Sequence, residues 1–587
     1  MTESAQFRSR AALIIILVML ASSCDPGWAE SGEPIQPAPE VLLNPDFLLG
    51  SSSLATPRAT TAFAPAGEPS LASHEFNGLL TLDTGSAINR IEVLVDTFGA
   101  AREKHSQLTT LPPFSFQYVS DGSALIPVNR EPQRSSHPYW EIILEPGQVW
   151  TRSNDLGWSR ASLPFALKEK NQNCIHNGLM TFLFKQDGSI SRVAWQITSE
   201  TCLYLKVNLW GIIEASYEPG PVPASGKIIT AYRAEVANRL PVKPFSALAI
   251  DYPGLDLTAF EPGGLEDASV YGFVVAGVHY RSECLTRYGP YPYCDVFDLP
   301  SYSLSKSIFA SLTYLILSKR WPEFASTSIA ELVPECRLPD KRWDEVFAVH
   351  LLNMSTGNYD SRQFDADEDA GSDAFFLAET HKDKLRLSCE TWPHKSSAGT
   401  HWVYHTTDTY LLGVAMNTFL KQKLGAGADI HRDLLYPQIL EPLHPSPVMR
   451  WSQRTYDGIA QPFTGYGLVL HNDDLARIAL ALSPGNTIGT TLAGTDFDSA
   501  MFRSGSPWQT PPGKKGLAYS HGFWGIDISE WLACSSAIRV PFMSGYGGIA
   551  VALLPNNSVY YFFTDSNQHT FRNAVVEANK ALHFCDD

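Results

Sequence analysis

Two patterns of apolar and polar positions divide the chain. In the first part, short apolar runs are separated by turn residues. Residues 90–96 and 140–145 alternate in part between apolar and polar, the period of a half-buried strand. Residues 180–184 and 190–197 flank Lys185-Gln186-Asp187-Gly188, and the Asp-Gly pair predicts a hairpin turn. Residues 203–215 continue in the same style. Many short strands with turn signals predict a β-rich, sandwich-like module over 41–235. The Pro-, Gly-, Ser- and Glu-rich stretch 25–40 reads as a linker before it. From 236 onward, runs of helical period take over: 305–318, 343–354, 407–421 and 475–482. Strand-like runs sit at both ends of this region, at 270–280, 549–554 and 559–563. Strands at the ends and helices between predict an α+β domain over 236–587 whose terminal segments meet in one sheet.

The first 24 residues have the make-up of an export signal. Arg8 and Arg10 precede an apolar run from Ala11 to Leu20, too short to span a bilayer comfortably. Small residues then lead to Cys24. Two outcomes stay open: lipidation of Cys24, which would anchor the protein to a membrane, or cleavage after Ala29. Setting Cys24 aside, eight of the nine cysteines remain, and an even number predicts disulfides in an oxidising compartment. Pairing neighbours along the chain gives 174–202, 284–294, 336–389 and 534–585, one of many connectivities that eight cysteines allow. The expected location is the periplasm or cell envelope.

Composition removes some function classes. The chain carries 61 acidic against 44 basic residues, a net charge of −17, which argues against nucleic acid as a partner. Neither CxxC nor HExxH occurs, so no metal site and no cofactor are expected from spacing. The Trp and Tyr residues scattered through the first part suit either a core or a sugar-binding face.

The chemistry centres on Ser303-Leu304-Ser305-Lys306. A Ser and a Lys three apart share one helix face. At a helix N-terminus, the N–H of Ser303 is free to bind an oxyanion, and the helix dipole and burial would lower the pKa of Lys306, leaving a neutral amine that can take the serine proton. One S-x-x-K is weak evidence alone, but the largely apolar run 308–317 behind it reads as a buried helix, and a lysine at its head needs a reason. His405 would suggest a serine–histidine arrangement, yet it adjoins Tyr404 and is expected to point elsewhere. The acidic run Asp365-Ala366-Asp367-Glu368-Asp369 reads as a solvated loop bordering the site.

Further segments follow in order: His350-Leu351-Leu352-Asn353-Met354-Ser355-Thr356-Gly357, Gly399-Thr400-His401-Trp402-Val403-Tyr404, Gly465-Tyr466-Gly467-Leu468 with Asp473-Asp474-Leu475-Ala476-Arg477, Tyr519-Ser520-His521-Gly522-Phe523-Trp524-Gly525, and Ser544-Gly545-Tyr546-Gly547-Gly548. With the Ser303 segment, these resemble the serine β-lactamase-like and penicillin-binding-protein superfamily, nearest to class C β-lactamases, esterases of that fold and aminohexanoate-dimer hydrolases. The resemblance covers about 240–587. It implies an antiparallel sheet with helices on its faces, Ser303, Lys306 and Tyr404 as catalytic residues, and an oxyanion hole from the N–H groups of Ser303 and Tyr546. It also implies substrate contacts from Thr406, Ser544, Gly545 and Trp524. Two departures matter. Thr406 replaces the Asn of the family's Tyr-x-Asn motif, and Met543 stands where β-lactamases and transpeptidases carry a cation for the substrate carboxylate. The expected substrate is therefore a small ester or linear amide. A cell-wall D,D-peptidase or β-lactamase is one alternative, and a non-catalytic envelope-binding protein on the same scaffold is another.

Overall fold

A computed structural model describes residues 43–50, 59–65, 67, 70–85, 90–97, 99, 106–483, 486–503 and 508–585. The export signal, Cys24, Ala29 and the linker lie outside the described residues. Among the described residues, no helix is long and apolar enough to cross a membrane.

The first part forms one antiparallel sheet of eleven strands. These are β1 (Gly78–Leu82), β2 (Arg90–Asp96), β3 (Phe114–Asp121), β4 (Ala124–Pro127), β5 (Trp140–Leu144), β6 (Gly147–Trp150), β7 (Ser159–Glu169), β8 (Ile175–Phe184), β9 (Val193–Thr201), β10 (Val207–Ile213) and β11 (Ala215–Pro219). The Asp-Gly hairpin joins β8 to β9, with Phe184 opposite Ile190. The long strand β7 carries β6 along one half and β5 along the other. Between those two pieces stands Pro146, which has no N–H to give a ladder.

The expectation was a β-rich, sandwich-like module; the strands form a single sheet that curls over itself. Phe76, just before β1, stacks on Tyr217 of β11 at 4.0 Å and meets Phe184 of β8 edge-on at 5.1 Å. The curl encloses a core that includes Trp140 and Trp195, each fully buried. Those tryptophans are core and form no sugar-binding face.

Strands β7 to β10 are buried on both faces nearly throughout. The curled core covers one face. On the other, Ile143, Ala166, Leu179, Leu183 and Trp210 join the same apolar cluster as Tyr302, Leu304 and Ile308. This is why these strands read as continuous hydrophobic runs in place of a clean alternation.

Helix α1 (Ser225–Asn238) leads into a second sheet. Its strands are β12 (Val242–Pro244), β13 (Ala268–Val275), β14 (Val278–Arg281), β17 (Leu517–Ser520), β18 (Phe523–Asp527), β19 (Arg539–Gly545), β20 (Ile549–Leu554) and β21 (Ser558–Thr564), with the short pair β15 (Leu299–Pro300) and β16 (Val469–Leu470) apart from it. The order is β12-β14-β13-β21-β20-β19-β18-β17, so β13 from the start of this region pairs with β21 from its end, as the sequence pattern predicts. Helices cover both faces. Alternate residues of β20 and β21 face a core with the intervening helices on one side, and with α7 (Arg572–Leu582) on the other. The helices that matter for the site are α2 (Leu312–Arg320), preceded by a wide π-turn over Lys306–Ser311, α3 (Ala366–Gly371), α4 (His381–Glu390), α5 (Thr406–Leu424) and α6 (Asn472–Leu482).

Four disulfides close the pairs Cys174–Cys202, Cys284–Cys294, Cys336–Cys389 and Cys534–Cys585. They are the nearest-neighbour pairs along the chain.

Candidate active site

Ser303 lies on a tight turn between β15 and the helical segment that begins at Leu304. The residue before it, Tyr302, has φ of 40°, a left-handed conformation that a bulky side chain rarely adopts. Asn173, at the tip between β7 and β8, holds that conformation in place. Its side-chain oxygen accepts from the Tyr302 N–H at 2.7 Å, the Gly467 N–H at 3.0 Å and the Ser301 hydroxyl at 3.3 Å. One residue of the curled sheet thus joins the nucleophile turn to the Gly465–Gly467 segment. Asn177, on β8, fixes the approach to the turn: its amide donates to Asp298 O at 2.9 Å, and its oxygen accepts from Asp298 N at 3.1 Å. The observed backbone strain sits at the residue next to the nucleophile, where such strain is commonly functional.

Lys306 is 1% exposed, and each of its three N–H bonds has a partner. It donates to Ser303 Oγ at 3.0 Å, to Thr406 Oγ1 at 2.9 Å and to Gly465 O at 3.2 Å. Its Nζ also lies 4.9 Å from the centre of the Tyr404 ring. Burial lowers its pKa to about 8, against the opposing fields of Glu368 and Asp408. A lysine so poised is neutral in an appreciable fraction near neutral pH and can accept a proton. The π-turn starts at this residue, a distortion often found at functional positions.

Tyr404 flanks the same cluster: its ring lies against the Lys306 amine, and the Ser303 side chain acts on its phenol. Burial holds the phenol well above its ordinary range, so it rests as a neutral O–H and not as a phenolate. Behind it stands an aromatic wall. Trp524 stacks over Tyr404 at 6.2 Å, Trp402 lies edge-on to Trp524 at 5.6 Å, and Phe364 stacks on Trp402 at 5.6 Å.

Thr406 opens α5, and its polar groups are already engaged. Its hydroxyl accepts from Lys306 and donates to Glu368, and its N–H donates to the same carboxylate at 2.9 Å. Thr406 therefore links Lys306 to Glu368. The acidic run is corrected: it forms helix α3, Asp367 is buried, and Glu368 turns toward the catalytic group. His405 points away from Ser303, as expected. Its ring stacks flat on Trp392 at 4.4 Å, and its Nε2 lies 3.1 Å from Asp367. Burial disfavours its charge, but Asp367 and Asp408 overcome that and raise its pKa to about 9. An imidazolium at neutral pH has no lone pair to act as a base.

The opposite wall is the end of β19. A Cβ on Gly545 would lie 3.0 Å from the Leu304 side chain and 3.1 Å from Ser301 O, so glycine permits the strand to run against the nucleophile turn. The next residue, Tyr546, packs its ring 5.7 Å from that of Tyr302. Met543 is fully buried in the core. Alternation along β19 turns Ser544 to the face opposite Gly545, where its hydroxyl lies 3.3 Å from His569 Nδ1. His521 is buried, with Nδ1 2.9 Å from Ser520 Oγ, and takes no part in this cluster.

The structure thus brings together Ser303, Lys306, Tyr404 and Thr406, and sets Gly545, Tyr546 and Trp524 around them. Sequence reasoning missed Asn173, Gly465 and Glu368. Asn173 falls in the strand-rich part, far from any motif. Glu368 was in view within the acidic run, but only the fold tells it apart from its acidic neighbours.

No family model matches the chain, and no curated protein sequence matches it. Solved structures that it is similar to include a D-stereospecific amidohydrolase from Streptomyces sp., at 14% identity with a TM-score of 0.38, covering 55% of this chain and 96% of that one. A penicillin-binding protein homolog from Caulobacter crescentus is 14% identical with a TM-score of 0.37, over 57% of this chain and 97% of the other. A family VIII carboxylesterase is 15% identical with a TM-score of 0.38, over 60% and 96%. Likeness at this level carries no functional weight.

Proposed function

We propose that this chain is an exported serine hydrolase that cleaves a small ester or linear amide through an acyl-enzyme on Ser303. The observation that carries this reading is the buried Lys306 amine 3.0 Å from the Ser303 hydroxyl. Neutral Lys306 takes the Ser303 proton as Oγ attacks the substrate carbonyl carbon. The negative charge that develops on the carbonyl oxygen is met by the N–H groups of Ser303 and Tyr546. As the carbonyl re-forms, the bond to the leaving oxygen or nitrogen breaks. Tyr404 gives that atom a proton and regains one from the Lys306 ammonium. Water then attacks the acyl-enzyme, its proton passing to the same pair, and the acid and free Ser303 result.

The choice of an ester or linear amide rests on Met543, which is buried and leaves no cation at that point of the wall for a substrate carboxylate. The aromatic wall of Trp402, Trp524 and Phe364 suits an apolar substituent. Export is supported by the sequence of the first 24 residues and by the four disulfides. The periplasm or cell envelope follows from that reading, with lipidation of Cys24 as the means of anchoring.

The test is intact-mass analysis after exposure to a fluorophosphonate, with Ser303→Ala alongside. A single adduct mapped to Ser303 and missing from the variant is expected. A folded wild-type protein that takes no adduct would return the chain to the non-catalytic binding class.

A further inference from the structure

Where the curled sheet meets the segment leading into Ser303, three side chains converge away from the catalytic cluster. They are Glu145, just after β5, Asp298, just before β15, and His471, just before α6. Each is at most 2% exposed. His471 Nε2 lies 3.4 Å from Glu145 Oε1 and 3.5 Å from Asp298 Oδ1, and all three atoms lie within 4.8 Å of one another. Both separations exceed the usual span of a made N–H···O bond, and none of the three atoms has a hydrogen-bond partner.

The surroundings hold these atoms rigidly. Arg130 takes the other Glu145 oxygen with two N–H groups, at 3.0 and 2.6 Å. Arg130 is itself balanced by Glu235 of α1. Asn177 clamps the Asp298 backbone, and Asp474 accepts from the His471 N–H at 2.9 Å. His471 faces both carboxylates at ion-pair range, yet no hydrogen bond closes among the three atoms, and buried polar atoms left without one call for a further partner. One N–H on His471 could point at only one of the two oxygens. A cation between them satisfies all three atoms at once. With bonds of about 2.0–2.1 Å to imidazole nitrogen and carboxylate oxygen, a tetrahedral ion sets its donors about 3.4 Å apart, which matches the two separations seen here. Glu145 and Asp298 bring two carboxylates to such an ion, while Arg130 is shared between Glu145 and Glu235, and Glu235 is shared with Arg239.

We propose that Glu145, Asp298 and His471 bind a structural divalent cation of the zinc class, which fastens the curled sheet to the nucleophile segment. Burial bars substrate from the ion, so its role is cohesion and not the reaction at Ser303. The three ligands are far apart in sequence and match no spacing motif, which is why the sequence gives no sign of them.

The test uses the full untagged chain, stripped with EDTA and then equilibrated with zinc chloride. Metal analysis by mass spectrometry should find one zinc per chain, and EDTA should lower the melting temperature. Asp298→Asn and Glu145→Gln, each checked for folding by near-ultraviolet circular dichroism, should weaken zinc binding by about tenfold or more and lose the EDTA effect. A wild-type protein that retains no zinc and melts alike with and without EDTA would overturn the proposal. So would a folded variant that retains zinc as well as the wild type. Neither readout depends on turnover, so the result stands whether or not Ser303 proves to be a nucleophile.

Discussion

The side-chain oxygen of Asn173 lies 2.7 Å from the backbone nitrogen of Tyr302, the residue whose positive φ presents Ser303. Asn173 acts here only as an acceptor, because its amide nitrogen is buried with no partner. Asn173→Ala should leave the Tyr302 and Gly467 N–H groups unpaired and lower stability by about 1–3 kcal/mol. It should also cut kcat by about 10–100-fold, since small displacements of a reacting group are costly. Asn173→Asp keeps the acceptor and should recover part of kcat. Ester hydrolysis and urea denaturation on the three proteins would check this; equal kcat in all three would remove Asn173 from the site.

The Lys306 pKa of about 8 sets a pH dependence. The lysine must be neutral to act as base, so kcat/KM should rise with pH through a midpoint near 8. Glu368 favours the charged lysine, and its removal should lower that pKa. In Glu368→Gln the acidic limb should therefore move to lower pH. A pH–rate profile of the two proteins would reveal it, and an unmoved limb would mean that Glu368 only holds Thr406 in place.

Lys306→Met should abolish turnover yet stabilise the fold. Below the folded-state pKa of about 8, the lysine is charged in both the folded and unfolded chain, and the fold bears the whole cost of burying that charge. The variant's gain, on the order of 1–3 kcal/mol, should be full there, shrink as pH rises above 8 and vanish near the ordinary 10.5. Denaturant titrations at several pH values would measure it; a variant less stable at pH 7 would mean that the lost hydrogen bonds outweigh the desolvation.

Gly545→Ala should push β19 away from the Ser301–Leu304 turn, because the added carbon meets a backbone carbonyl at 3.1 Å. Overpacking of this kind costs about 1–3 kcal/mol. If Tyr546 helps bind the oxyanion, fluorophosphonate labelling should slow by more than the loss of folded protein explains. Labelling rates matched to thermal melts would separate the two effects.

Much of this was legible in the chain. The apolar periods marked the strands at both ends of the second region, and β13 does pair with β21. Lys306 of the S-x-x-K segment does meet the Tyr404 ring, and the neighbouring cysteines do pair. Long-range placement stayed hidden. Residues 343–354 read as one helix, but only Ala348–Leu352 is helical. Nothing in the Asn173 neighbourhood marks it as part of a catalytic turn, because its partners lie more than a hundred residues away in sequence. Glu368 and its acidic neighbours look alike until the fold directs one of them at Thr406.

The position of Asn173 also bears on the order of assembly. Chains are made from the N-terminus, and N-terminal units tend to fold first during synthesis. The curled sheet, with Asn173 at one tip, precedes Ser303 in the chain and can thus form before Ser303 emerges. The nucleophile turn is then cast against a template that already exists, and the strain at Tyr302 is imposed from outside. A chain rearranged so that the sheet emerged last would have to make that turn unaided.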